Sequence, residues 1–121
     1  MKLDMTISGT TLNVSLEDNV ATRALVDRLR QGPLTYTAAD YGGFEKVGAL
    51  GFSLPAVDEY QSAQPGDVML YCGNQLVLFF GHNEWEYTRI GRLESGSARR
   101  LRDFLQAGRG SVAVTICLNI E

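Results

Sequence analysis

The run Leu76-Val77-Leu78-Phe79-Phe80, set between the turn pair Gly73-Asn74 and Gly81, constrains this chain more than any other stretch. A strand sends alternate side chains to opposite faces. A continuous apolar run therefore predicts a strand covered on both sides, not one with a wet face. It follows residues 67–71, where Val68 and Leu70 alternate with Asp67, Met69 and Tyr71. The two segments, 67–71 and 75–80, read as a hairpin opened by Pro65-Gly66, and the second is the best candidate for the centre of the sheet. Beyond Gly81-His82-Asn83-Glu84 a third strand is expected at about 86–91. There Trp85, Tyr87 and Arg89 alternate with Glu86, Thr88 and Ile90 to give two chemically distinct sides.

The flanking chain supplies more short strands. Leu3, Met5 and Ile7, then Leu12, Val14 and Leu16, alternate with polar residues around Ser8-Gly9-Thr10, as in a hairpin with one dry face. Asp18 or Asn19 can cap a helix over residues 20–30, where Val20, Ala21, Ala24, Leu25 and Leu29 recur at helical spacing and Gly32-Pro33 marks the end. A short strand follows at 34–37, interrupted by Ala38-Ala39-Asp40-Tyr41-Gly42-Gly43; the double glycine serves either a tight turn or a close backbone approach. Residues 44–48 read as another strand and 51–64 as an irregular surface loop. A second helix is expected over 98–107, with Ala98, Leu101, Phe104 and Leu105 as its apolar stripe and Gly108 as its cap. Val112, Val114, Ile116 and Leu118 alternate in a final strand.

A length of 121 residues suits one domain, and it can bury a core without metals or disulfide staples. With about eight short strands, two helices and no repeating strand-helix-strand rhythm, the expected class is mainly β. A closed or nearly closed barrel removes exposed edges, and the helices can cap its open ends. The 11 Lys and Arg against 14 Asp and Glu leave a formal charge of −3, which gives no basic surface for nucleic acid. Arg99, Arg100 and Arg102 read as a solvated helix face. Cys72 and Cys117 belong to no Cys/His cluster, so zinc is disfavoured; free thiols in a reducing cytosol are expected, with a disulfide between two strands that neighbour in the sheet as the alternative. No segment approaches the roughly 18 apolar residues of a membrane span, and the alternating N-terminus is unlike a signal peptide. The expectation is a cytoplasmic domain without membrane partner, metal or cofactor. No GxGxxG or GxxxxGK precedes a helix, so nucleotide binding has no support.

Phe44-Glu45-Lys46-Val47-Gly48, Leu54-Pro55, Pro65-Gly66-Asp67-Val68 with Leu70-Tyr71, Gly73-Asn74, Leu78-Phe79-Phe80-Gly81 and the segment from Tyr87 to Gly91 together resemble the bacterial cyclophilin-like family. The resemblance covers most of the chain and implies a compact barrel of cyclophilin topology. In true cyclophilins, prolyl isomerase activity depends on an arginine in a Phe-His-Arg context on an early barrel strand. That run is absent here, and the early strand region carries Lys46 instead. Lysine lacks the planar fork of a guanidinium, and fold alone does not fix function.

The candidate binding residues are Phe44, Lys46, Asn83, Trp85, Tyr87 and Arg89; none is assigned a catalytic role. Trp85 and Tyr87 offer flat faces with polar tips, Arg89 can pair with a carboxylate or stack on a ring, and Asn83 both donates and accepts. The competing reading is that Trp85 and Tyr87 plug the barrel while Arg89 pairs with a nearby acid. Lys46 can replace the missing arginine as a local positive charge, against the plainer reading of a solvent-facing strand lysine. Glu45 and Lys46 face opposite sides, so only one can enter a cleft. Tyr36, Tyr41 and Phe44 serve equally as pocket walls or core, and His82 has no evident nucleophile partner. The expected function is binding of a small molecule or short peptide without isomerase activity. The alternatives are an enzyme, residual prolyl isomerase included, and a module that docks another protein.

Overall fold

The computed structural model describes residues 1–119. Nine strands and two helices follow in the order β1 (Lys2–Ile7), β2 (Thr10–Leu16), α1 (Val20–Leu29), β3 (Leu34–Tyr41), β4 (Glu45–Ala49), β5 (Glu59–Ala63), β6 (Asp67–Tyr71), β7 (Gln75–Phe79), β8 (Asn83–Leu93), α2 (Ala98–Leu105) and β9 (Val112–Leu118). The ladder runs β2-β1-β9-β3-β4-β7-β6-β8, and β8 returns to β2 through Val14↔Leu93, Ser15↔Arg92 and Leu16↔Gly91. Eight strands thus close an antiparallel barrel of the cyclophilin-like kind, with the ninth, β5, laid along the first half of β8.

Both faces of β7 are covered, as its composition requires. Leu76, Leu78 and Phe80 join the main core inside the barrel, together with Leu25 and Leu29 of α1 and Leu101, Phe104 and Leu105 of α2. Val77 and Phe79 face outward into a second cluster with Ala63, Met69 and Tyr87, against which Phe44, Val47 and Tyr71 pack. The helices close opposite ends of the barrel. Arg28 of α1 lies over Phe52, 4.1 Å from its ring centroid, whereas Arg102 of α2 lies 5.1 Å from that of Phe80. Asn19, not Asp18, caps α1: its side chain accepts from Thr22 N at 2.9 Å, and Thr22 Oγ1 accepts from Asn19 N at 3.0 Å.

Several boundaries depart from the sequence expectation, most of them through tertiary pairing. β3 runs on to Tyr41, because Ala39, Asp40 and Tyr41 pair with Val47, Lys46 and Glu45. Within the expected loop 51–64, Glu59–Ala63 is a strand held only by β8. Thr88 fixes its approach, donating to Asp58 Oδ1 at 2.6 Å and accepting from Val57 N at 2.9 Å. β8 begins at Asn83 for the same reason. Finally, α2 stops at Leu105 rather than at residue 107: Gln106 takes the left-handed conformation (φ 54°) and donates to Ser8 Oγ at 2.8 Å.

The double glycine serves both purposes open to it. Gly42 and Gly43 sit at φ 63° and 74° in the β3–β4 turn. A Cβ at Gly42 would also lie 2.2 Å from the Phe44 ring, so the glycine admits that ring to its place.

Candidate functional site

An open cleft of about 700 Å³ lies over the outward cluster of β7, from which Phe44, Val47, Tyr71 and Tyr87 reach its lining. Its walls come from the β3–β4 turn (Tyr41, Gly42, Phe44), from β4 (Glu45, Val47), from the two ends of the β6–β7 turn (Tyr71, Gln75) and from β8 (Asn83, Trp85, Tyr87). The rings form a connected series. Tyr41 meets Phe44 edge-on at 6.0 Å, Phe44 stacks on Phe79 at 6.3 Å, and Phe79 meets Tyr87 edge-on at 5.5 Å, with Tyr71 a further 6.2 Å beyond. Trp85 stands at the rim, 52% exposed, and Tyr41 is 64% exposed.

Two further depressions occur on the surface and, apart from the exposed Glu17, the charged side chains lining them are engaged in ion pairs. One contains Asp18–Arg23 and Asp27–Arg30 pairs; the other contains Arg92, paired with Asp67, and Glu94, paired with Lys2. The aromatic cleft differs because its one charged residue is buried and has no partner. Glu45, only 6% exposed, projects from β4 beside Phe79. Burial alone pushes its carboxyl up to about 7, with neither a hydrogen bond nor a cation to oppose the shift. Since no sealed side-chain oxygen lacks a partner among the described residues, the Glu45 oxygens open onto the cleft they line. Their charge reaches Tyr87: burial raises that hydroxyl first, Asn83 opposes it by donating its hydrogen bond at 2.7 Å, and Glu45 adds to the rise.

Of the residues expected from sequence, Phe44, Asn83, Trp85 and Tyr87 meet at this cleft, and Lys46 and Arg89 do not. Lys46 is fully buried, not solvent-facing. It pairs with Leu78 on the inner face of the ladder, and its ammonium lies 3.0 Å from Asp40 Oδ2 and donates to Gly110 O. Arg89 turns to the buried carboxylate of Asp67 at 3.0 Å, which also receives Arg92 at 2.8 Å and the Gln64 N–H at 2.8 Å. A register shift between Val68 and Met69 lies beside it. Tyr36 belongs to the barrel core, whereas Tyr41 is a cleft wall. His82 is exposed and lies outside the lining, and Cys72 and Cys117 are both free thiols.

Sequence reasoning set Glu45 against Lys46 and chose Lys46, and it passed over Val47, Tyr71 and Gln75 as cleft residues. The signal for two of them was present: Gln75 lies on the Val77–Phe79 side of β7, and Tyr71 lies on the Met69 side of β6.

A profile of the cyclophilin-like family matches residues 5–117, and the chain belongs to that family. Its fold is similar to the solution structure of the hypothetical protein AF2241 from Archaeoglobus fulgidus, with a TM-score of 0.68 at 20% identity over 97% of this chain and 93% of that one. It is also similar to McbB, solved in complex with tryptophan, with a TM-score of 0.68 at 15% identity. The match to McbB covers 98% of this chain but only 45% of that chain. No curated protein matches by sequence. Among the described residues no group of His, Cys, Asp and Glu is arranged to hold a metal ion, and no helix is long and apolar enough to cross a membrane.

Proposed function

We infer that this domain binds a small molecule or short peptide in the cleft between Phe44 and Trp85, without prolyl isomerase activity of the cyclophilin type. The observation that carries the reading is the connected aromatic wall over an outward hydrophobic cluster, left open with Trp85 at its rim. A concave, mostly apolar site with a few polar groups is the ordinary form of a ligand pocket. McbB, which shares the fold, was solved with tryptophan bound, and this supports an aromatic or amino-acid-like occupant.

Against isomerase chemistry stand the missing Phe-His-Arg run and a lining that contains no arginine. The protein is expected to leave the cis-trans interconversion of a proline peptide at its background rate. Acceleration that disappears in Arg89→Ala would overturn this.

The binding reading is tested by the emission of Trp85, the single tryptophan, during titration with small aromatic metabolites and short peptides. Saturable quenching is expected. Binding that leaves Trp85 unchanged, and maps to another surface, sinks the site.

A second reading, docking of another protein, draws on β5. That strand ends the ladder and carries Tyr60, 67% exposed, close to Val57, 51% exposed. Protection of β5 amides from hydrogen exchange by a captured partner would favour it.

A further inference from the structure

Resting on the cleft as the binding site, we propose that the chemical group it recognises is an organic ammonium, held by the Glu45 carboxylate amid the rings of Tyr41, Phe44, Tyr71, Trp85 and Tyr87. The other buried charges among the described residues are satisfied within the fold. Lys46 has Asp40 and Gly110 O, and Asp67 has Arg89, Arg92 and the Gln64 N–H. Glu45 is the exception, since nothing in the fold supplies it with a donor or a cation.

Burying a carboxylate without a partner is unfavourable, and such groups concentrate at sites where a ligand supplies the missing charge. The surroundings favour a cation over the alternatives. Aromatic rings attract cations through the negative potential of their faces, and carboxylate with rings is the composition of an ammonium cage. An anionic ligand would meet Glu45 and find no lysine or arginine in the lining. Asn83 spends its N–H on Tyr87 Oη at 2.7 Å, which leaves its carbonyl oxygen as a second acceptor for an ammonium proton. A neutral hydroxyl can occupy the same space, but it gains only a neutral hydrogen bond where an ammonium gains a charge-assisted one.

The group can belong to a free amine or to a lysine side chain in a peptide, and matched probes separate these sources. The whole protein is titrated, with Trp85 emission as readout, against 2-phenylethylamine, 2-phenylethanol and 3-phenylpropionate. These share a ring and differ in the charge of the head group. The amine is expected to bind about tenfold more tightly than the alcohol, with the carboxylate weakest. Glu45→Gln should bring the amine to the level of the alcohol, and a far-ultraviolet circular dichroism spectrum matching that of the parent shows that the variant is folded.

A lysine-containing peptide and its norleucine counterpart form the second arm. A preference for lysine that exceeds that for the free amine, and disappears in Glu45→Gln, assigns the ammonium to a peptide. Equal binding of amine and alcohol by the unmodified protein overturns the ammonium inference and leaves the cleft standing. Failure of all probes to perturb Trp85 overturns both.

Discussion

Glu45 and Lys46 are consecutive residues on one strand, both carry charge, and both are buried, yet the protein treats them in opposite ways. Strand alternation sends Glu45 outward beside Phe79 and Lys46 inward beside Leu78. Lys46 enters a finished network: Asp40 lies 3.0 Å away and is itself held by the N–H groups of Gly108 at 3.0 Å and Gly110 at 2.7 Å. That network ties the loop after α2 to β3 and β4, so it closes one end of the barrel. Glu45 enters an aromatic cleft with no partner. A buried charge that is satisfied belongs to the architecture, whereas one that is unsatisfied raises the question of what satisfies it.

The largest test of this contrast is Lys46→Met, which keeps the length of the side chain and removes its charge. Deleting one partner of a fully buried ion pair costs about 3 kcal/mol, and because Asp40 is only half-buried and keeps the Gly108 and Gly110 N–H groups the loss here should be about 2 kcal/mol. A loss of that order is expected in urea denaturation, and hydrogen exchange should quicken in the loop carrying Gly108 and Gly110. A loss below about 0.5 kcal/mol, within the range of ordinary surface substitutions, would show that the network adds little and that the contrast with Glu45 is false.

Glu45→Gln should act in the opposite direction and more weakly. A carboxyl whose folded pKa is raised binds its proton more tightly in the folded state. Its contribution is therefore present below the ordinary glutamate range and is lost as pH rises toward about 7. Without ligand, Glu45→Gln is expected to stabilise the protein near pH 8 by on the order of 1 kcal/mol, after allowance for the openness of the cleft.

Asp40 gives the reverse signature. Burial pulls its pKa upward, but the Gly108 and Gly110 N–H groups and Lys46 outweigh this and hold it below the ordinary value. Its contribution is present above the ordinary carboxylate range and is lost on acidification. Each amide mimics the protonated acid, so both variants should approach the parent in acid and diverge from it at higher pH with opposite sign, Glu45→Gln lying above the parent and Asp40→Asn below it. Divergence of the same sign would refute the assignment.

The double cover of β7 explains both what sequence reveals here and what it hides. An apolar run with no wet face announces a second hydrophobic layer, and the outward cluster of Val77 and Phe79, over which the cleft walls pack, is that layer. The same double cover conceals which charge on the neighbouring strand faces outward, because neither face of β7 is polar. Only the register Glu45↔Phe79 and Lys46↔Leu78 decides it, and register across a closed barrel is a long-range property.

Strand β5 escapes detection for a different reason. Glu-Tyr-Gln-Ser-Ala has no alternating pattern, since only Ala63 of its five residues is buried. Ala39 and Asp40 carry little strand preference of their own and are held in β3 by their partners on β4. The helices and the terminal strands needed no such context, because capping residues and period define them locally.

Arg89 marks the boundary between the cleft and the frame. It shares a strand with Trp85 and Tyr87, but its guanidinium is committed to Asp67, where Arg92 and the Gln64 N–H remain if it is removed. Arg89→Ala is therefore expected to lower stability by about 1 kcal/mol, the ordinary scale for one partly exposed ion pair whose acid keeps other partners. It should leave the affinity of the cleft for 2-phenylethylamine unchanged within twofold. A loss of tenfold or more in that affinity, with stability unaltered, would return Arg89 to the site and imply that the Asp67 pair opens when ligand arrives. Equal affinity would confine the recognition chemistry to the lining that Glu45 shares with the rings.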